Sequence, residues 1–255
     1  MTRHVEHVMG TVFSFDIRDI PDEASVRVRA ALEAAVASLH RVDEVFSLYR
    51  PNSQLSRLAQ GALTARECSP EVGDVLLLCE EAERLSDGWF TARYAGALDP
   101  TGLVKGWAVE RAARMLLSAG AGAVCVNGGG DVQLHGGPWR VGIADPLRRG
   151  QLAAVVQTCG DGDLAVASSG PAERGCHIID PHTGEPPASA LASLTVVCAT
   201  LTDADARATA AYAMGDAARS WLADLPGTEA FAVAADGSTW QTSGFRLLSA
   251  APVAA

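Results

Sequence analysis

Asp205 and Thr209 stand four residues apart in "TLTDADARATAAYAMGD", a stretch from Thr200 to Asp216 otherwise filled mainly with small helix formers. On a helix, residues i and i+4 lie one above the other on a single face. A carboxylate and a hydroxyl stacked in this way offer two hard oxygens, the donor type that Mg²⁺ takes. Ordinary helix chemistry accounts for part of the pattern. Thr202 or Asp203 can cap the helix, and Asp205 in its first turn complements the positive end of the dipole. Capping does not call for Thr209 one turn later. A cation held there also has to overcome the repulsion of a helix N-terminus, so it asks for an ionised Asp205 and an anionic ligand opposite, such as a nucleotide pyrophosphate.

Three other stretches carry residues with chemical potential. In "LDPTGLVKGWAVE" (98–110), Thr101 and Gly102 precede a helix whose first turn holds Lys105 and Gly106. Free backbone N–H groups at a helix start, with one lysine, can receive a phosphate; a turn with an exposed lysine is the commoner explanation. In "VNGGGDV" (126–132) three glycines follow a strand. A dinucleotide-binding fingerprint needs a helix next, and here another strand follows, so this is a tight hairpin turn or a place where a ligand approaches the backbone. In "GCHIIDPHTGEPP" (175–187) His177 enters a short strand that runs into a tight loop. A histidine so placed is a general-base candidate or a structural histidine. Cys176 beside it has no second thiol at useful spacing.

The composition sets limits on partners. A net charge of −10 and a pI near 5.0 exclude a global nucleic-acid footprint. An anionic ligand therefore needs a local device: a metal, a few basic side chains, or helix N-termini. No apolar run approaches eighteen residues and the start carries no apolar leader or lipid-attachment cysteine, so a cytoplasmic protein with no membrane anchor is expected. Six scattered cysteines without a Cys-x-x-Cys pair read as reduced, mostly buried thiols.

The elements that must position these residues follow from periodicity. Residues 11–17 alternate as a strand, and apolar residues from Val28 to Phe46 fall at helical spacing in a segment spanning residues 24–48 that ends before Pro51. A second helix is expected over 69–88, with Ser69 as cap, Pro70 at the first position and Gly88 as terminator. A third runs from Val104 to Ala119. Strands follow at 123–146, 151–170 and 193–199, and a hairpin at 229–245 turns on Asp236-Gly237. Helices cluster in the first half and strands in the second, which predicts an α+β fold with largely antiparallel sheets and flanking helices. The expectation is one domain over 1–248 and a flexible C-terminal tail at 249–255.

Together and in this order, "MGT" (9–11), "FSLYRPNSQLSRL" (46–58), "SDGWF" (86–90), "LDPTGLVKGWAVE", "VNGGGDV", "WRVGIADP" (139–146), "ASSGPAERGCHIIDPHTGEPP" (167–187) and "SLTVVCATLTDADARATAAYAMG" (193–215) resemble the ApbE-like FAD:protein FMN transferases. The resemblance implies a ligand site between two closely packed halves and an enzyme that uses Mg²⁺, or Mn²⁺, to split FAD. It implies that FMN is joined to a Ser or Thr of an acceptor protein and that AMP leaves. By this resemblance Asp205 and Thr209 ligate the metal by side chain, with the Gly102 carbonyl as third oxygen. Met9, Tyr49, Trp89, Phe90, Asp99, Lys105 and Ile178 match flavin-nucleotide contacts, and His177 matches the base that deprotonates the attacking hydroxyl. The chain departs from the pattern at Thr91, where an Asp is usual, and at Pro100, where an apolar residue is more typical. An FAD pyrophosphatase and a non-catalytic FAD-binding protein are the alternatives that the same site admits.

Overall fold

Strand β2 (Thr11–Arg18) shows the simplest local rule: Phe13, Phe15 and Ile17 are buried while their neighbours stay partly exposed. Alternation of this kind puts one strand face on a core. In the computed structural model, which describes residues 1–94, 96–158, 160, 162–171, 178–187 and 190–250, that core lies between a sheet and the helices packed on it. β1 (Thr2–Val8) pairs with β2 through a two-residue turn in which Met9 and Gly10 both have positive φ, 55° and 69°. Such a turn matches the twist of the strands it joins.

The helical layer consists of α1 (Ser25–Phe46), the short α2 (Gln54–Ala59), α3 (Pro70–Leu85) and α4 (Thr101–Ser118). A two-stranded ribbon of β3 (Arg93–Tyr94) and β4 (Ala97–Leu98) lies between α3 and α4 in sequence. Then come β5 (Ala123–Gly128), β6 (Asp131–His135), β7 (Arg140–Ala144), β8 (Leu152–Gln157), β9 (Asp163–Ser169) and β10 (Leu191–Cys198). Helix α5 (Leu201–Met214) and α6 (Ala218–Asp224) precede β11 (Glu229–Ala234), β12 (Thr239–Gln241), α7 (Phe245–Leu248) and β13 (Ser249–Ala250). The main sheet has eight strands in the order β1-β2-β5-β6-β9-β10-β11-β12, and every pairing in it is antiparallel. A second sheet of three strands runs β13-β8-β7.

The central strands are buried on both faces. In β10, Leu194, Val196 and Cys198 join the core under the helices, while Val197 joins a second core with Ile143, Val156, Phe231 and Phe245 beneath the small sheet. That is why β10 is buried on both faces along most of its length and β2 alternates. The small sheet and the helical layer therefore cover opposite faces of the same large sheet.

Several expectations shift by a few residues. Helix α4 begins at Thr101, not Val104, because Asp99 Oδ1 accepts from both the Thr101 amide (2.9 Å) and its hydroxyl (2.6 Å), fixing the first turn ahead of Gly102. Ser69 takes the N-cap position of α3, but its hydroxyl turns to Glu71 and makes no cap bond. Residues 178–180 carry no strand; Asp180 instead closes a turn, its amide on the Glu185 carbonyl and its carbonyl on the Gly184 amide, each at 2.9 Å. Strand β1 and helices α2 and α6 had no counterpart in the sequence expectations. Ser249 and Ala250, the first residues of the expected tail, pair with Val156 and Val155 of β8.

Two glycines make this packing testable. A Cβ on Gly128 would stand 2.6 Å from Val109 Cγ2 and 2.8 Å from Phe13 Cε1, whereas one on Gly73 in α3 would meet nothing within 4 Å. Gly128→Ala is expected to lower stability by about 1–3 kcal/mol through overpacking, and Gly73→Ala to raise it by about 0.5–1 kcal/mol. Urea unfolding checks both, with midpoints moving in opposite directions and slopes unchanged.

Candidate functional site

Glycine is the reason α4 and α5 can touch. The helices run past each other so that Gly102 lies against Thr209, Gly106 against Asp205 and Leu201, and Glu110 against Thr202. Residues 102, 106 and 110 are successive i, i+4 positions and form one stripe on α4. A Cβ on Gly106 would come within 2.5 Å of the Leu201 carbonyl oxygen and 2.8 Å of Asp205 Cβ; one on Gly102 would sit 3.4 Å from Thr209 Cγ2 and 3.5 Å from its Oγ1. Through the gap, the Gly106 amide donates to Asp205 Oδ2 at 2.9 Å. In a regular helix that amide serves the carbonyl four residues earlier, which is Gly102. Asp205 thus draws on the very donor assigned to the Gly102 carbonyl.

The start of α5 is capped differently from the sequence expectation. Neither Thr202 nor Asp203 makes a side-chain cap; Thr200 is the N-cap residue, and no side chain of its own closes the turn. The Leu201 amide donates to Gln133 Oε1 of β6 at 2.8 Å. The Thr202 amide and hydroxyl both donate to Glu110 Oε2, at 3.0 and 2.5 Å. Asp205 lies beyond the first turn, whose acidic residue is Asp203. The helix start is buried against α4 and β6, so distant side chains reach donors that a local side chain would otherwise satisfy.

Lys105 forms an ion pair with Asp131, whose side chain is 3% exposed, and its Nζ stands 4.0 Å from Asp205 Oδ1. The other Asp131 oxygen accepts from the Ser168 amide at 2.9 Å. These groups open onto a cavity of about 1020 Å³, at the upper end of the several-hundred to ~1,000 Å³ range of ligand clefts. Its walls come from the helical layer, from β7 of the small sheet and from the ends of β9 and β10, so it lies between two packed halves of the fold. The hydroxyls of Ser168 and Thr195, 2.8 Å apart, lie on the wall with Ser169 and Ser193.

Of the residues singled out in the sequence, Trp89, Phe90, Asp99, Gly102, Lys105, Ile178, Asp205 and Thr209 line this cavity. Ser86 places the aromatic pair: its hydroxyl donates to the Ala82 carbonyl and accepts from the Phe90 amide, ending α3 and turning Phe90 inward. Trp89 meets the ring of His182 at a centroid distance of 4.4 Å, tying the 178–185 turn to the cavity rim. Tyr49 is 98% exposed beside Leu48, which lines the wall. Met9 packs against the core in the β1–β2 turn and is not among the lining residues. Cys159, Cys176 and His177 lie outside the described residues.

The helix-start phosphate cradle expected at α4 takes another form. The Thr101 amide is held by Asp99, and those of Leu103 and Val104 by the Pro100 carbonyl at 3.0 and 3.1 Å. The local cap consumes these donors, so Lys105 is the cationic group of α4 at the cavity. The glycine hairpin 128–130 is the tight turn, and Gly129 and Gly130 also border the cavity with no side chain. Sequence reasoning missed Gln133, Glu110 as a cap, and the serine wall. Their partners lie 27 to 92 residues away, and no local pattern records such pairs.

The donor set at Asp205, Thr209 and Gly102 is all oxygen, which suits a hard divalent cation and not a thiophilic one. Among the described residues no cluster of three or more His, Cys, Asp and Glu side chains is arranged to hold a metal, so a cation here would depend on the hydroxyl, the carbonyl and its ligand. Thr91 turns its hydroxyl to the backbone of Arg93. Cys68, Cys79, Cys125 and Cys198 are free. Burial pushes the Cys79 thiol up to about 12 and those of Cys125 and Cys198 up to about 11.

The family model described as the ApbE family matches residues 9–97 and 91–232. The FAD:protein FMN transferase of Vibrio cholerae serotype O1 is 33% identical over 132 residues, 47% of this chain and 39% of that protein. Its namesake in Rhodobacter capsulatus is 34% identical over 162 residues, 58% of this chain and 30% of that one. The matched segments thus span well under two thirds of these curated relatives. Among solved structures, the ApbE protein of Thermotoga maritima superposes with a TM-score of 0.81 at 22% identity, covering 98% of this chain and 99% of that one. The flavin transferase ApbE of Vibrio cholerae gives 0.76 at 23%, covering 97% and 98%. These two likenesses carry the fold.

Gly106→Ala is expected to force α4 and α5 apart and to cost about 1–3 kcal/mol, seen as a lower thermal midpoint by calorimetry. A thiol whose pKa is raised stays protonated, and unreactive, below that value. At pH 8 a thiol reagent should therefore leave Cys79, Cys125 and Cys198 unmodified in the folded protein, as checked by peptide mass mapping.

Proposed function

The chain belongs to the ApbE family, and on that premise we propose that it is an FAD:protein FMN transferase. It cleaves the FAD pyrophosphate, joins the FMN phosphate to a Ser or Thr hydroxyl of an acceptor protein, and releases AMP. The observation that carries this reading is the pairing of Asp205 and Thr209 with Gly102 across the α4–α5 contact, on the wall of a cavity that Lys105 and Trp89 also line. The names of the curated relatives support it.

FAD brings a diphosphate to a protein of net charge −10, so binding depends on local cations. The Lys105 ammonium is one, held near the phosphates by Asp131. Asp205, Thr209 and the Gly102 carbonyl would hold Mg²⁺, or Mn²⁺ in its place. Bound there, such an ion supplies charge neutralisation and makes AMP a better leaving group. Phosphoryl transfer asks mainly for positioning and charge stabilisation, and the chain's side chains supply the first. Trp89, Phe90 and Ile178 give the ring systems apolar walls, and Tyr49 offers an aromatic face from the rim. Asp99 holds the start of α4 in place beneath the nucleotide.

His177 takes the proton of the acceptor hydroxyl as its oxygen attacks the FMN phosphorus and the bond to the AMP phosphate breaks. Its chain neighbour Ile178 lines the cavity, within one residue's reach of the chemistry. A histidine near neutral pKa suits this role. The acting unit is the single domain expected over 1–248, with Ser249 and Ala250 paired onto β8, and the cavity draws on both family-matched segments. No helix among the described residues is long and apolar enough to cross a membrane; the buried free thiols accord with the cytoplasm, where we place the enzyme.

Incubated with FAD, Mg²⁺ and a protein bearing an acceptor Ser or Thr, the purified chain should yield an acceptor heavier by one FMN moiety by intact mass, with AMP released in equal amount. Asp205→Asn, Thr209→Ala and His177→Ala should each slow this by on the order of 10²-fold or more. Full activity in the His177 variant removes the assigned base. AMP and free FMN formed at a rate indifferent to acceptor would make the protein a pyrophosphatase instead.

A further inference from the structure

The glycine stripe on α4 lets α5 approach, but it does not fix how far along α5 sits. Gly102 and Gly106 present no side chain for α5 to lock onto, and a one-residue slip moves a helix 1.5 Å along its axis and turns it by about 100°. Such a slip would carry Thr209 off Gly102 and Asp205 off the Gly106 amide. Besides the bond from the Gly106 amide to Asp205 itself, two polar anchors outside the ligand group oppose it, both at the start of α5. Gln133 ties residues 199 and 201 to β6, accepting from the Leu201 amide and donating to the Ala199 carbonyl at 3.1 Å. Glu110 ties Thr202 to α4 itself. Its inner oxygen accepts two hydrogen bonds from Thr202, and its outer oxygen pairs with Arg114, whose side chain is 68% exposed.

Glu110 does not line the cavity. It lies one turn beyond Gly106 on the same face of α4, and its partner Thr202 lies three residues before Asp205 on α5. The bond therefore spans the two helices that carry the proposed cation ligands, next to those ligands but off the ligand path. A carboxylate accepting two bonds in a site only 6% exposed is a stiff, charge-assisted link.

We infer that Glu110 is a positioning residue that sets the α4–α5 register and, through it, the affinity of the Asp205–Thr209–Gly102 group for a divalent cation. The inference rests on the cation site advanced under Proposed function. Ligand groups must be held to within about 0.5 Å of their working geometry. Loosening the register should thus weaken cation binding before it harms the chemistry of molecules that have bound the ion.

The test is Mn²⁺ binding to the FAD-supplied protein, followed by electron paramagnetic resonance, beside the Mg²⁺ dependence of AMP release. Glu110→Ala and Thr202→Val should each weaken Mn²⁺ binding roughly tenfold and raise the half-saturating Mg²⁺ to match. The turnover rate at saturating Mg²⁺ should stay within about threefold of the parent. Glu110→Gln, which keeps an acceptor for the Thr202 amide, should fall between parent and Glu110→Ala. Because the two residues share one interaction, the double variant should be scarcely worse than either single one. Thr202→Val carries the test if Glu110→Ala does not fold. Unchanged Mn²⁺ affinity in folded variants, whether or not their thermal midpoint falls, overturns the inference and leaves the cation site standing. A parent protein that binds no Mn²⁺ at all brings down the cation site and the inference with it.

Discussion

The constraint on which the site depends is the close approach of α4 and α5. At Gly106 there is no room for a methyl group: the Leu201 carbonyl oxygen would lie 2.5 Å from it. That closeness lets a main-chain amide of one helix reach a side-chain oxygen of the other, and it sets a carboxylate, a hydroxyl and a backbone turn side by side without a loop to hold them. Sites built on regular elements are held more precisely than sites on loops. The cost is that α4 meets α5 with bare glycine at positions 102 and 106, which gives no side chain there to fix the register. Orientation is left to polar anchors at the margin, Glu110 and Gln133.

The sheet makes this arrangement possible. An eight-stranded antiparallel sheet covered on both faces gives α5 a flat, apolar bed in β9 and β10, and gives β7 and β8 a bed on the other side. The cavity lies at the seam, where β9 and β10 end in small hydroxyl residues. The small sheet, the helical layer and the 178–185 turn all meet there. The turn is fastened by the contact of His182 with Trp89 and by its own internal bonds around Asp180. Burial works to raise the Asp180 carboxyl, and hydrogen bonds from His182 and Thr183 outweigh it, holding it below the usual range.

An acidic protein that takes an anionic ligand has to arrange its positive charge locally. Here the Thr101, Leu103 and Val104 amides at the helix start are already taken by Asp99 and Pro100. What remains on α4 is Lys105, fixed between Asp131 and Asp205 on neighbouring elements. A lysine clamped in this way loses little freedom when a ligand arrives. The same clustering of oxygens that makes Lys105 necessary also suits the group to a hard cation, so the two devices are complementary.

Much of this was legible in the chain alone. Alternation in β2, helical spacing in α1 and α3, and glycine turns between strands all follow from short-range sterics and burial, and they gave the α+β class and antiparallel sheets. The i, i+4 spacing of Asp205 and Thr209 marked one face of one helix before any fold was known, and the order of motifs pointed to the family. Three things lay beyond its reach. Helix starts depend on which side chain happens to satisfy the first amides; at α5 those side chains come from residues 110 and 133. Whether a glycine is a flexible joint or a contact surface depends on what packs against it; Gly106 is a contact because Asp205 lies there. The meeting of Lys105 with Asp131 and of Trp89 with His182 joins segments 26 and 93 residues apart. Local sequence fixes what each segment prefers to be, because its forces act over a few residues; which segments face one another is decided only when burial brings the whole chain together.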